Sequence, residues 1–412
     1  MQNHQTAPLL KFSRYQKFVL AMLTFLQFTI ILDFMIISPL GAILMPALKI
    51  TPAQFGTVVS AYAFSAGISG LLAAGFADSF DRKKLLLFFY AGFLLGTLFC
   101  GLAPNYPTLL AARMITGIFG GVIGAVVAAI TTDIFPFAMR GRVMGFLQTA
   151  FAASQVLGLP AGLFFSNLWG WHAPFIMIVT IGAAVGVVIW RQLQPINAHL
   201  KLQSDHNAFL HLKNTVTDPS YTLAFALTAF LSLGGFMLMP FGSTFTVNNL
   251  GIAMRHLPTI YLITGLASIF IGPLIGRLSD RFGKFNVFVC GGASSFFMVL
   301  IYTHMGVTPL PIVILVNVLM FVAIFSRMIP SQALISAIPS PKSRGAFMSI
   351  SSSLQQISGG FASLVAGMIV MTEVDGKLMH FDVLGYIICC TVTISVVLMY
   401  FVHRSVPEPT AQ

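Results

Sequence analysis

Phe18 to Ile37 reads FVLAMLTFLQFTIILDFMII, an apolar run broken by one charge, Asp33. About 20 such residues are what a helix needs to cross a hydrocarbon layer of about 30 Å. Lipid offers no partner to free peptide N–H and C=O groups, so a helix that satisfies its own backbone is the expected form. Lys11, Arg14 and Lys17 precede the run and no Ala-x-Ala-like cleavage site follows it, so it is expected to stay as the first membrane helix.

Similar runs recur as far as Val402, at approximately 17–46, 53–77, 85–104, 107–135, 143–168, 172–191, 220–248, 256–278, 285–304, 309–338, 344–371 and 381–403. Charged residues form 8% of the 412-residue chain, against roughly a quarter in a soluble domain, and mean hydropathy is +0.90. A soluble fold has no way to cover that much apolar surface, so the chain reads as an all-α polytopic membrane protein of twelve spans. The net charge of +11 does not point to nucleic acid, because the positive residues sit singly at span ends rather than with aromatics on one face. Cys100, Cys290, Cys389 and Cys390 lie in apolar runs without CxxC spacing and read as small hydrophobes, not as metal ligands or disulfides.

Lys11, Arg14, Lys17, Arg82, Lys83, Lys84, Arg140, Arg142, Arg191, Lys201, Lys213, Arg277, Arg281, Lys284, Lys342, Arg344 and Arg404 fall on one side of this arrangement, and only Lys49, Arg255 and Lys377 on the other. The positive-inside rule therefore places both termini in the cytoplasm. The polar interval 192–219 divides the chain into a six-helix bundle over 1–191, a cytoplasmic linker, and a second bundle with a short tail over 220–412. His199, His206 and His211 in that linker have spacings that match no compact metal-ligand set, so no metal or other cofactor is expected. Asp78-Ser-Phe-Asp-Arg82-Lys83 follows the second run, and Asp280-Arg281-Phe-Gly-Lys284 follows the eighth. Equivalent loops in two halves mark an internal repeat, an arrangement in which one bundle rocks against the other around a central site.

Asp33, Arg113 and Arg327 are the charged residues well inside spans, where an ionised group is costly without a partner or a wet cavity. Asp33 lies 16 residues beyond Lys17, about 24 Å along a helix, and Arg113 lies 20 residues before Asp133, about 30 Å along an antiparallel one. Both belong to the outer half of the membrane, at a depth that allows a pair. Two readings of it stand side by side: proton uptake by Asp33 that frees Arg113, or a permanent structural ion pair. Arg327 lies near midplane with no acidic residue deep in the C-terminal runs to neutralise it, so it is expected to meet water, carbonyl groups or an anionic part of a solute, or else to anchor backbone.

The amides Gln27, Gln148, Gln155, Asn317 and Gln356 and the rings of Phe34, Tyr62 and Phe236 are candidate solute contacts, although among 39 phenylalanines most serve lipid or packing. Gly117 and Gly121, and Gly158 with Gly162 around Pro160, are expected at close helix crossings and at a bend in the fifth run. Asp78, Arg82, Asp133, Arg142, Asp280, Arg281 and Lys284 are expected to form a cytoplasmic gate that locks an outward-facing state.

These residues resemble the major facilitator superfamily, specifically its twelve-span drug and sugar-efflux proton antiporters, the arabinose-efflux-like permeases. The resemblance covers about residues 15–404. The family's Gly-x-x-x-Asp-Arg-x-Gly-Arg/Lys loop runs from Gly276 to Lys284, while its first copy has Ala74, Ser79 and Asp81 where glycine, arginine and glycine are usual. LLAARMITG, from Leu109 to Gly117, is similar to the span-four motif whose arginine is tied to proton coupling, here Arg113. GLPAGLFFSNLWGWHAPF, from Gly158 to Phe175, is similar to the antiporter span-five motif, with Leu159 between the usual Gly-Pro pair and His172 in place of a common arginine.

The resemblance implies a major facilitator fold of two six-helix bundles with internal pseudo-symmetry. It implies proton-coupled efflux of a drug, sugar or metabolite by alternating access across a bacterial inner membrane, by a monomer whose partners are a small organic solute, protons and the lipid bilayer. Uptake by proton symport or by a facilitator is the alternative on the same architecture, and a membrane sensor on a transporter scaffold is the alternative without transport. No nucleophile elbow or metal set suggests an enzyme.

Overall fold

The computed structural model describes residues 11–197, 200, 208–340 and 343–405, and the side chains of 74, 75, 78, 137, 138, 141 and 208–211 also fall outside that description. The linker histidines His199 and His206 are among the residues not described, and the side chain of His211 is not described either.

The N-terminal half runs through α1 (Arg14–Ile36), α2 (Gly41–Leu48), α3 (Pro52–Phe76), α4 (Arg82–Gly101), α5 (Tyr106–Ile134), α6 (Phe137–Ala153), α7 (Leu159–Trp169) and α8 (Ala173–Gln192). After α9 (Ala208–Val216), the second half runs through α10 (Pro219–Leu238), α11 (Gly242–Asn248), α12 (Leu257–Phe282), α13 (Lys284–Thr303), α14 (Leu310–Ala337), α15 (Arg344–Ile369) and α16 (Phe381–Ser405). A short antiparallel hairpin, β1 (Met371–Thr372) with β2 (Leu378–Met379), joins α15 to α16.

Local chemistry sets the starts of these helices. Ser13 with Gln16 and Thr51 with Gln54 form reciprocal capping boxes on α1 and α3, and Asn105 with Thr108 caps α5. The two equivalent loops begin their next helix differently. Gly283 takes φ +89°, a conformation a side chain would strain, and turns α12 directly into α13. In the first copy Asp81 stands at that point with negative φ and caps α4 through Lys84 N, after a 3₁₀ turn at Ala77–Ser79.

The structure adds three features to the sequence reading. The first and seventh spans are each broken near the far end, at 37–40 and 239–241, so a second short helix completes each one. The linker interval carries α9, which packs against α15, α3 and α10. Among the described residues, eleven helical segments, not twelve, are long and apolar enough to cross a membrane, and α15 is not one of them despite its 26 residues. Ser351, Ser353, Ser358, Gly359, Gly360, Ser363 and Gly367 of α15 are buried in protein, so that face has no need to be apolar. A Cβ on Gly56 of α3 would come within 2.6 Å of the Ser363 carbonyl, so α3 and α15 meet backbone to backbone.

Tyr15 accepts a hydrogen bond from Gln194 N, and Arg82 N donates to Ile196 O, which gathers the starts of α1 and α4 and the segment after α8 on one side. Phe285 stacks on His403 at 5.4 Å, which puts the start of α13 beside the end of α16. We call this the terminal side. There two apolar clusters form: Val19, Leu23, Leu86, Val126 and Ile189 belong to one, and Phe225, Phe288, Phe347 and Met399 to another, on which Leu71 of α3 also packs. On the far side one cluster unites both halves, with Leu40, Phe55 and Leu163 beside Phe241, Leu257 and Ala362. The hydrogen bonds described between the halves, Ser243 Oγ to Ser38 O at 3.0 Å and Asn167 Nδ2 to Met254 O at 3.4 Å, also lie there. The structure is thus closed on the far side.

Candidate functional site

Asp33 sits three residues before the end of α1 and points at α4 and α5. Its Oδ2 accepts from Arg113 Nη1 at 2.8 Å and its Oδ1 from Thr97 Oγ1 at 3.1 Å, and the same Nη1 also lies 3.4 Å from the Asp33 carbonyl. Both members of the pair are 0% exposed. Removing one partner of such a pair strands the other in low dielectric, a loss of about 3–5 kcal/mol. Arg113 is incompletely satisfied, for among the described residues its Nε and Nη2 have no hydrogen-bond partner, and its Cζ lies 4.4 Å from the centre of the Tyr62 ring. A desolvated cation over an aromatic face gains about 2 kcal/mol, so Tyr62 is a second stabiliser of the charge.

The small residues of α5 bring these groups together. A Cβ on Gly117 would press on the Tyr62 backbone and one on Gly121 on the Ala66 carbonyl, so α3 reaches Arg113 only because both positions are glycine. Gly96 of α4 gives Thr116 the same close approach from the other side. Gly158 and Gly162 admit Leu32 and Ile36 of α1. Between α6 and α7 the chain makes a π-helical turn at Ser154–Gly158 directly before Pro160, which lacks the N–H that would have bonded back to the preceding turn.

Phe34, next to Asp33 in sequence, packs on Tyr62 at 5.4 Å and on Phe236 of the other half at 5.8 Å. This stack lies one turn inside the Ser38–Ser243 contact, at the inner layer of the closed side. Gln27 and Gln155 each bury a side-chain oxygen without a partner among the described residues, Gln356 is half-buried against Gly67, and Gln148 is exposed. Asn317 turns back to its own helix and donates to Val313 O at 2.9 Å. Arg327, 8% exposed, donates from Nη2 to Ser395 Oγ at 3.4 Å and leaves Nε without a partner.

The loop residues divide by half. Arg82 pairs with Asp133 at 3.2 Å and donates to Ala77 O at 2.7 Å, inside the first bundle. Arg142 lies over Phe12 at 4.5 Å. Asp280 pairs with Lys284 at 3.3 Å in an exposed contact, and Arg281 lies 5.3 Å from the Phe282 ring. The Asp78 side chain is outside the described residues. Reading the sequence alone missed Thr97 and Ser395, since a hydroxyl inside a span can return its proton to its own helix and gives no signal of a partner on another.

The sequence profile described as Major Facilitator Superfamily matches residues 23–363. The chain belongs to that superfamily. Among relatives within it, an uncharacterized MFS-type transporter of Bacillus subtilis (strain 168), YceJ, is 24% identical over 89% of this chain and 93% of its own length. Multidrug resistance protein 2 of the same organism is 25% identical over 65% of this chain and 68% of its own. Of solved structures, a D-xylose–proton symporter shares the fold with a TM-score of 0.75 at 18% identity, covering 97% of this chain and 99% of its own. Assignment to this fold and superfamily makes the protein one of the transport proteins rather than an enzyme. It is a multi-pass membrane protein with bacterial relatives.

Proposed function

We propose that this major facilitator protein couples the movement of a small polar organic solute to protons, with Asp33 carrying the proton and Arg113 responding to it. The fully buried pair at 2.8 Å is the observation that carries the reading: it holds the carboxylate deepest in the described spans, against a cation whose remaining N–H groups lack partners. We count α15 as a further span, for 26 residues reach about 39 Å and its polar face is spent on α3 and α10.

Uptake by symport has better support than the efflux expected from the sequence. The same fold serves a D-xylose–proton symporter, and the efflux-type span-five motif is broken here by Leu159, with a π turn in its place. Antiport keeps one line of support, the relative named as a multidrug resistance protein. Liposomes holding the purified protein separate the two whichever way it inserts. Symport accumulates solute when the outside is acidic, antiport when the inside is acidic, and a facilitator with neither gradient. Accumulation that ignores the pH gradient removes the proposal. Sugars, organic anions and lipophilic cations are the solutes to test.

The unpartnered amide oxygens of Gln27 and Gln155 and the free Nε of Arg327 favour a solute that offers both donors and acceptors. Arg327→Gln is expected to leave thermal stability near that of the parent and to weaken a carboxylate-bearing or carbonyl-rich solute about tenfold, the effect of losing one charge-assisted hydrogen bond of about 1.5 kcal/mol. Equal affinity in calorimetry takes Arg327 out of the site.

A further inference from the structure

We propose that Tyr62 is the positioning residue through which the charge state of the Asp33–Arg113 pair reaches the contact between the two bundles. The inference rests on the reading of that pair as the coupling site. The groups that face the pair are Thr97 and Cys100 from α4, Thr116 from α5 and Tyr62 from α3. Thr97 serves the carboxylate, and the Thr116 hydroxyl donates to Ala112 O of its own helix. When Asp33 becomes neutral, the guanidinium loses its counter-charge and is left with the Asp33 backbone carbonyl, 3.4 Å from Nη1, and the Tyr62 face at 4.4 Å.

A change in how the cation sits on that ring must be taken up by the Tyr62 side chain. Its backbone has no freedom to follow, being held against Gly117 with no room for even a methyl group. The ring is packed on Phe34 at 5.4 Å, and Phe34 on Phe236 at 5.8 Å, which crosses from the first bundle to the second. Phe236 is confined in turn: a Cβ on Gly359 would come within 2.9 Å of its ring, and Ser363 Oγ reaches its carbonyl at 3.4 Å. Arg113, Tyr62, Phe34, Phe236 and α15 thus form one packed series from the charge to the closed side. Close-packed side chains pass on a displacement that a loose cavity would absorb.

A thermodynamic cycle tests it. Labels at Lys49→Cys and Val307→Cys, with the exposed Cys290 and Cys390 replaced by serine, report separation of the far-side ends. In the parent, Asp33→Asn is expected to change the ratio of open to closed forms at least about fivefold, the lower end of ordinary allosteric coupling, and in Tyr62→Leu by less than about twofold. Tyr62→Phe, which keeps the ring, restores the shift. If Tyr62→Leu does not fold, Phe236→Leu, which lies in the other bundle and does not touch the pair, is expected to lose the shift in the same way. A full shift in the leucine variant overturns the role of Tyr62 while leaving the coupling pair intact. No shift in the parent overturns the coupling reading and this inference with it.

Discussion

Asp33→Asn protein, reconstituted beside the parent, is expected to lose accumulation of solute against a gradient while still exchanging it down one. For one proton per solute, a pH difference of one unit supports about tenfold accumulation, since each unit is worth about 1.4 kcal/mol. The variant's ratio should fall to about one. The amide imitates the protonated carboxyl in shape and charge, keeps an oxygen for Thr97 or Arg113, and removes the cycle of proton gain and loss. A purely structural pair predicts another outcome, because Arg113 would then be left buried without a counter-charge at a loss of about 3–5 kcal/mol, and folding and every transport mode would fail together. Detergent-stable variant protein that exchanges solute but does not accumulate it separates these outcomes. Intact accumulation with the same proton-to-solute ratio would show that the proton is carried elsewhere.

The depth of the charged pair is legible in the sequence. The depth count from Lys17 to Asp33 and from Arg113 to Asp133 put both residues in the outer half of the membrane, because helix rise is fixed and the charged flanks mark the span ends. It gave no azimuth, so it was silent on whether they touch. The rotation of α5 about its axis is decided by which glycines meet α3, and that choice depends on the neighbour's backbone. For the same reason Tyr62 and Phe236 stood among many aromatics with nothing to single them out. The breaks after α1 and α10 were hidden because both sides of each break are equally apolar. The case of α15 runs the other way: its serines and glutamines lower its hydropathy, yet its expected position and length were right, since apolarity is demanded by lipid contact and this helix makes much of its contact with protein.

The glycines of α5 look alike in sequence and differ sharply in space, which leads to opposite expectations for one substitution. In a helix interior, alanine is favoured over glycine by up to about 1 kcal/mol, so Gly→Ala stabilises wherever a methyl group has room. Gly124 has nothing within 4 Å of where that methyl would be, and Gly124→Ala is expected to raise thermal stability slightly and leave transport unchanged. At Gly121 the methyl would collide with the Ala66 carbonyl and the Ser69 hydroxyl. The hydroxyl can rotate away, but the carbonyl belongs to the backbone of α3, so the two helices must separate. Overpacking of this kind costs about 1–3 kcal/mol, which outweighs the gain in helix propensity. Separation of α3 from α5 also withdraws Tyr62 from Arg113 and loosens the backbone contact of Gly56 with α15, so transport should fall further than stability does. Melting curves and flux assays on Gly121→Ala and Gly124→Ala side by side make the comparison. Equal melting temperatures would mean that the α3–α5 approach is not tight, and the cation over Tyr62 would then lose the geometry on which its role depends.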